Sequence, residues 1–376
     1  MGAGGLPHRF PRAISDLNSK YGLNELFNMQ TDQSLVLVDC IAYQNNILNH
    51  VSRTFALTIP QLPDKLRVAV GNAYLLCRIT DTIEDTLEME AESKTAFAER
   101  LVAVIQGREQ AASFSRDLGR LLPESTDEGE RDLVANTVRV IRITHSLGKI
   151  QRQAIERCVG IMANGMMEFQ RNAGVHGLEN VVEMNRYCYC VAGVVGEMLT
   201  ELFCDHSTEI GAQRNELMRL SVSFGQGLQM INILKDTWED RRRGACWLPR
   251  DVFDRAGLEL ETVTAEEMDP RMAHGIRELT SLALAHLDNA LRYILLIPAK
   301  ETGIRRHCLW ALGFAVLTLR RIHSAPSYTA GNDVKISRRS VKAVAVITSF
   351  LARSDLALRI FFAVLTRGLP RSKLDI

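Results

Sequence analysis

No charge of either sign dominates this chain. Its 45 Lys and Arg meet 44 Asp and Glu, for a formal net charge of +1. No overall field exists to hold nucleic acid, and a charged ligand must be held locally. Proline is scarce, at 10 in 376 residues, and with 46% hydrophobic and 24% charged residues the chain is neither disordered nor collagen-like. Long apolar runs are missing as well. The longest, residues 343–352, is about half a bilayer span and is followed by Arg353 and Asp355, so no membrane crossing is expected. Met1–Phe10 has no apolar signal region, and Leu6 stands where a myristoylation signal needs Ser or Thr, so neither secretion nor that anchor is expected. Strand patterns bounded by Asn-Gly or Asp-Gly turns are almost absent, as are solenoid repeats and composition shifts that would mark a linker.

What is present is apolar residues at three- and four-residue spacing through most of the chain, which predicts an all-α fold in a single domain, 1–376. The expected core is about 45–345, followed by a helical tail, 346–376. After Pro60 and Pro63, Asp64 is placed to cap a helix with Leu66, Val70, Ala73, Tyr74 and Cys77 inward. A second helix is expected over Ser221–Arg242, stopping at Arg243-Gly244, with central helices over Gln151–Phe169 and Val181–Phe203. Leu122–Glu130 and Ala325–Asp333 read as surface loops. The eight cysteines sit in apolar helical patterns and read as reduced thiols of a cytoplasmic protein. Cys188 and Cys190, two apart on a helix, point about 200° apart and do not suit joint metal ligation. The tail sets Val344, Ile347, Leu351, Leu358, Phe361, Phe362 and Leu365 among Arg353, Arg359, Arg367, Arg371 and Lys373. It could pack on the body or rest on a membrane surface as a peripheral contact.

The chemistry is concentrated in two strings: Asp81-Thr82-Ile83-Glu84-Asp85 and Asp236-Thr237-Trp238-Glu239-Asp240. Each D-T-x-E-D puts three carboxylates on one helical face, where like charges repel. A solvated acidic face explains one copy. A pair, where chance supplies on the order of 0.1 copies, asks for more. Hard oxygen ligands with no flanking His or thiolate select Mg²⁺, which is usually completed by substrate phosphates, so the pair suggests a diphosphate held between two helices. Arg78 lies one turn before Asp81, while Lys235 and Arg241–Arg243 bracket the second string and could meet diphosphate oxygens. A diphosphate that departs leaves a carbocation, which needs a dry apolar pocket. The face of Tyr187, Val191, Val194, Val195 and Met198, with Ala192, Gly193 and Gly196 giving room, could line one. A mean hydropathy of −0.03 conceals such a cavity as easily as an ordinary core.

The segments Ser52-Arg53-Thr54-Phe55, Tyr74 with Arg78 and the first acidic string, Tyr187 through Glu197, and Gln229 with Asn232, the second string and Arg242-Arg243-Gly244 together resemble the squalene and phytoene synthase family over roughly 45–345. The resemblance implies an isoprenoid-synthase helical fold with a central cavity that joins two prenyl diphosphates head to head. The form D-T-I-E-D is more similar to squalene synthases and implies farnesyl diphosphate as substrate, a presqualene diphosphate intermediate and NADPH-dependent reduction to squalene. The alternative is a phytoene, dehydrosqualene or presqualene diphosphate synthase without the reductive step. By the same resemblance, Asp81, Glu84, Asp85, Asp236, Glu239 and Asp240 would hold Mg²⁺. Tyr187, Arg78 and Tyr74 would serve catalysis, and Ser52, Arg53, Phe55, Val191, Ala192, Val195, Gly196, Gln229 and Asn232 would bind substrate. Lys335 and Arg338, in Val334-Lys335-Ile336-Ser337-Arg338-Arg339, would contact NADPH, although Ser337 stands where an Arg is usual. No G-x-G-x-x-G follows a strand. Oligomeric state stays open, with a monomer as the default expectation.

Overall fold

The computed structural model describes residues 31–265 and 269–372, with side chains from residue 35 onward. The expectations for Met1–Phe10 and Lys373 lie outside these residues. The described residues are helical with no strand, their one β feature being an isolated bridge between Leu178 and Pro249, so the chain is all-α. The first half runs through α1 (Thr31–Val51), α2 (Phe55–Thr58), α3 (Asp64–Asp85), α4 (Ala91–Ile105), α5 (Ala111–Gly119), α6 (Glu128–Ala135), α7 (Thr137–Ser146) and α8 (Lys149–Arg171). The second half contains α9 (Val181–Cys188), α10 (Val194–His206), α11 (Thr208–Gly211), α12 (Arg214–Arg242), α13 (Arg250–Asp254), α14 (Pro270–Leu296), α15 (Thr302–Ser324), α16 (Arg338–Leu351) and α17 (Asp355–Leu365). One contiguous apolar cluster extends from Ile47 to Leu369. In it α12 packs on α10 and α14, and α8 packs on α3, α4 and α10.

Helix α3 buries Leu66, Val70, Ala73 and Cys77 as its sequence predicts, with Tyr74 part-buried, and it also buries Asn72, Leu75 and Ile79, so it is enclosed on more than the one expected face. Its start differs from expectation. Pro63, extended at φ −51° and ψ 149°, holds the cap position, and Asp64 sits in the first turn, paired with Arg67 at 2.9 Å. Helix α12 ends at Arg242, and Gly244, at φ +83°, supplies the left-handed residue that stops it.

Expected as one helix, Val181–Phe203 is broken by a π-helical turn, Tyr189–Gly193, between α9 and α10. Such turns concentrate at functional sites because the wider turn redirects the side chains on either side. This stretch is apolar enough to span a bilayer, but 44% of its most apolar window is buried, and it packs between α8 and α12 as a core element. The small residues here serve helix approach and leave the cavity to others. A Cβ added at Gly196 would collide with the Ser221 carbonyl, and one at Gly225 with the Ala192 carbonyl. Ala in place of Gly gains about 1 kcal/mol of helix propensity, whereas prising two backbones apart costs about 1–3 kcal/mol or more. Gly225→Ala should therefore lower the thermal midpoint by roughly 2–5 °C; an unchanged midpoint in a calorimetric scan would show that the helices separate freely.

Two expected surface loops are more structured than their polar composition suggests. Residues 128–130 of the first open α6, which Asp127 caps by accepting the Gly129 N–H at 2.9 Å. In the second, Tyr328 is buried, its carbonyl accepts the Trp238 indole N–H at 2.7 Å and its hydroxyl donates to the Leu234 carbonyl. This segment clamps the end of α12. All eight cysteines are free and seven are buried.

Candidate active site

The acidic ends of α3 and α12 face each other across a cavity of about 350 Å³. Asp81, Glu84 and Asp85 form one wall, Asp236 and Asp240 the other, and Arg243, just past the end of α12, reaches Asp85 at 3.4 Å. Arg78, Lys235 and Arg243 are the basic residues of the lining, and Gln229 and Asn232 complete the α12 side. Met166 and Gln170 of α8, Val191 of the π turn, Tyr187, Ala245 and Trp247 also line the space.

Five carboxylates against three cations leave a negative excess, and burial makes it costly. Burial raises the Asp81 pKa to about 7 despite Arg78 at 3.3 Å, with Asp85 adding to the rise. Asp240 is likewise raised to about 7 by burial and then by Asp236. Burial, then Asp85 and Asp81, push Glu84 well above the usual carboxylate range. Asp236 is raised by burial, with Lys235 at 3.0 Å opposing.

Among the described residues neither His nor Cys lines the cavity, so the donor set there is hard oxygen and fits Mg²⁺. Among the described residues no three His, Cys, Asp or Glu form a ready-made cluster. Because these acids are protonated more readily folded than unfolded, raising the pH from about 4 to about 7 ionises them at the expense of the native state. Without metal, thermal stability should fall across that window, by on the order of 1 kcal/mol for Asp81. Added Mg²⁺ should raise the midpoint most at pH 7 and above; a metal-free midpoint that rises over that interval in Asp81→Asn and wild type alike would remove this account.

Tyr187 is 5% exposed, stacked on Trp247 at 4.3 Å and 5°, with the Phe169 ring edge-on at 5.2 Å. Burial, reinforced by Glu84, keeps its hydroxyl protonated far above neutral pH. Arg78 ion-pairs with Glu130 of α6 as well as Asp81.

Several expected site residues lie off the cavity lining. The Tyr74 hydroxyl donates to the Val51 carbonyl at 2.9 Å and its ring packs on Phe55 at 5.2 Å. Ser52 Oγ accepts the Phe55 N–H at 2.9 Å, and Arg53 is exposed. This group sits one helical turn before Arg78. Ala192 and Gly196 lie against α12, and Val195 packs on the core. Glu239 is outside the lining and accepts the Gly331 N–H at 2.9 Å. Lys335 and Arg338 are exposed beyond that turn, and Ser337 Oγ caps α16 by accepting the Ser340 N–H at 3.1 Å. Trp247, Gln170, Met166 and Glu130 went unnoticed in the sequence. Trp247, one of three Trp, just past the second string, carried a readable signal; Glu130, 52 residues from Arg78, carried none.

An all-helical body with two facing acidic helix ends over an aromatic-walled cavity defines the class. The chain belongs to the squalene/phytoene synthase family, whose model matches residues 48–340. It is 27% identical over 290 residues to the squalene synthase of Candida albicans, a match covering 76% of this chain and 62% of that protein. It is 28% identical over 334 residues to that of Saccharomyces cerevisiae, covering 86% of this chain and 69% of the relative. Among solved structures, a ligand complex of TcSQS superposes with a TM-score of 0.69 at 21% identity, over 89% of this chain and 94% of that one. A ligand-bound dehydrosqualene synthase does so at 0.60 and 20%, over 85% and 98%. The squalene synthase of Alicyclobacillus acidocaldarius gives 0.57 and 17%, over 78% and 96%. These likenesses establish the isoprenoid-synthase fold.

Proposed function

We propose that this protein condenses two farnesyl diphosphates head to head into presqualene diphosphate and reduces that intermediate with NADPH to squalene. The observation that carries this reading is the meeting of both D-T-x-E-D ends over one cavity whose inner wall is Tyr187 stacked on Trp247. Asp81, Glu84, Asp85, Asp236 and Asp240 would hold Mg²⁺, which when bound neutralises diphosphate charge and so assists its departure.

The chain's own residues do the rest. Arg78, fixed between Asp81 and Glu130, offers donors to the departing diphosphate, with Lys235 and Arg243 on the opposite wall. Gln229 and Asn232 orient the polar ends of the substrates. The buried faces of Tyr187 and Trp247 exclude water and offer π-density to an allylic cation. The second molecule's double bond attacks that cation, and loss of a proton closes the cyclopropane. The Tyr187 hydroxyl, kept protonated, serves there as a relay: its oxygen takes the departing proton while its own proton passes to an oxygen of the released diphosphate, so no phenolate forms. The reading places the protein in the cytoplasm, consistent with its free thiols, in a peripheral relation to membranes.

A second reading stops at presqualene diphosphate or yields dehydrosqualene or phytoene. It draws on Lys335 and Arg338 lying off the cavity lining and on Ser337 being spent as a helix cap. Lys335 and Arg338 are exposed cations of the kind that pair with a dinucleotide's phosphates, and they would be the residues to hold NADPH. Purified protein incubated with farnesyl diphosphate and Mg²⁺, with and without NADPH, and its products extracted, decides between them. Squalene is expected only with NADPH. The same product in both incubations would refute the reductive half.

A further inference from the structure

Each helix of the C-terminal pair carries an apolar stripe that the body leaves exposed. On α16 the exposed residues Ala343, Val346, Ile347 and Phe350 recur at three- and four-residue spacing, and on α17 Leu356, Ile360, Ala363 and Val364 do the same. Phe350 is 83% exposed, Leu356 69% and Val364 63%. These are the outward partners of Val344, Leu358 and Phe362, which face the core, so the structure divides the apolar residues of the tail into an anchoring side and a free side. The pair is tied to the body at both ends. Buried Arg305 donates to the Ala352 carbonyl at 3.0 Å and to Asp355 at 2.7 Å at the junction, and Arg320 donates to the carbonyls of Leu365 and Arg367 at 2.8 and 3.0 Å at the far end.

Charge identifies the occupant. Residues 335–372 hold eight Lys and Arg against a single acid, Asp355, which is tied to Arg305. Exposed Arg339, Lys342, Arg353, Arg359 and Arg367 stand at the ends and sides of the apolar stripes. A second copy docked face to face would set this cationic rim against itself. At 14 and 11 residues, the helices are too short to cross a bilayer. An apolar stripe edged by cations suits the boundary between anionic headgroups and acyl chains.

We propose that α16 and α17 form a preformed docking surface for an anionic lipid bilayer, seated with Phe350, Leu356, Ile360 and Val364 in the interface. This gives the peripheral localisation proposed above a specific surface and lipid charge, and does not depend on the reaction assigned to the cavity.

The test is co-sedimentation of the full-length protein with vesicles of phosphatidylcholine alone or mixed with phosphatidylglycerol, with condensation activity in lipid-free buffer measured on the same samples. Binding to the anionic vesicles is expected to exceed that to neutral ones by about tenfold or more and to weaken with salt. The double variant Phe350→Glu/Leu356→Glu and the charge reversal Lys342→Glu/Arg359→Glu should each lose about tenfold in binding, with circular dichroism and lipid-free activity unchanged. Equal recovery in the supernatant with both vesicle types, or undiminished binding by Phe350→Glu/Leu356→Glu, would overturn the proposal. So would a lipid-free dimer that this double variant dissociates, or a lipid-free cross-link from position 350 to residues 1–30. Because activity is read separately, failure of the surface and failure of the catalytic reading give different results.

Discussion

Asp81→Asn and Asp236→Asn should each reduce release of pyrophosphate from farnesyl diphosphate by about a thousandfold, since several kcal/mol of charge stabilisation is withdrawn from the ionising bond. The folded body should survive. Asp81 lies in an acidic wall that burial already makes costly, and its carboxyl, raised to about 7, spends much of its time near neutral pH protonated when no cation is present. An amide of the same shape removes a repulsion, so the thermal midpoint in metal-free buffer should hold or rise, while the gain on adding Mg²⁺ shrinks. Pyrophosphate release at the wild-type rate would end the assignment of this wall to ionisation. Loss of helicity together with activity would mean that the side chain serves the fold.

Tyr187→Phe is the second large effect, about a hundredfold to ten-thousandfold in turnover to presqualene diphosphate, the range expected when a positioned proton-transfer partner is deleted. The substitution keeps the ring, and with it the stack on Trp247 at 4.3 Å and the edge contact with Phe169 at 5.2 Å, so stability should change little. Trp247→Ala makes the contrasting case. It removes the surface on which Tyr187 rests and leaves a cavity, which costs about 3–5 kcal/mol, so stability and rate should fall together. Rates paired with thermal scans separate the two residues. Tyr187→Phe retaining half of the wild-type rate would remove the hydroxyl from the mechanism and leave the ring a packing role.

The acidic helix ends were legible because their information is local. A helical stripe from Leu66 to Ile83 and a carboxylate triplet at its end are written in consecutive residues, and so is the Gly244 stop after α12. What the sequence concealed depends on distant contacts. The π turn at Tyr189–Gly193 has the same apolar spacing as an ordinary helix, and only the close approach of α12 to Ala192 and Gly193 exposes the register change. Ala325–Asp333 has the composition of a solvated loop, yet Tyr328 is fixed by Trp238 and Leu234, about 90 residues away in the chain. The spacing of Gly196 on its helix predicts room for substrate. In the fold it makes room for a neighbouring backbone, a distinction that spacing along one helix cannot carry.

The Gly331 amide that captures Glu239 has a consequence for the whole cleft. Two strings spelled alike do not present alike. The α3 end turns three carboxylates to the cavity and the α12 end only two, its third being spent on holding down the segment that clamps it. The cleft is therefore polarised across its width, with two unlike jaws. On the proposed reaction, two substrates of identical chemistry would meet different surroundings in it from the start, which would set the order in which their diphosphates leave.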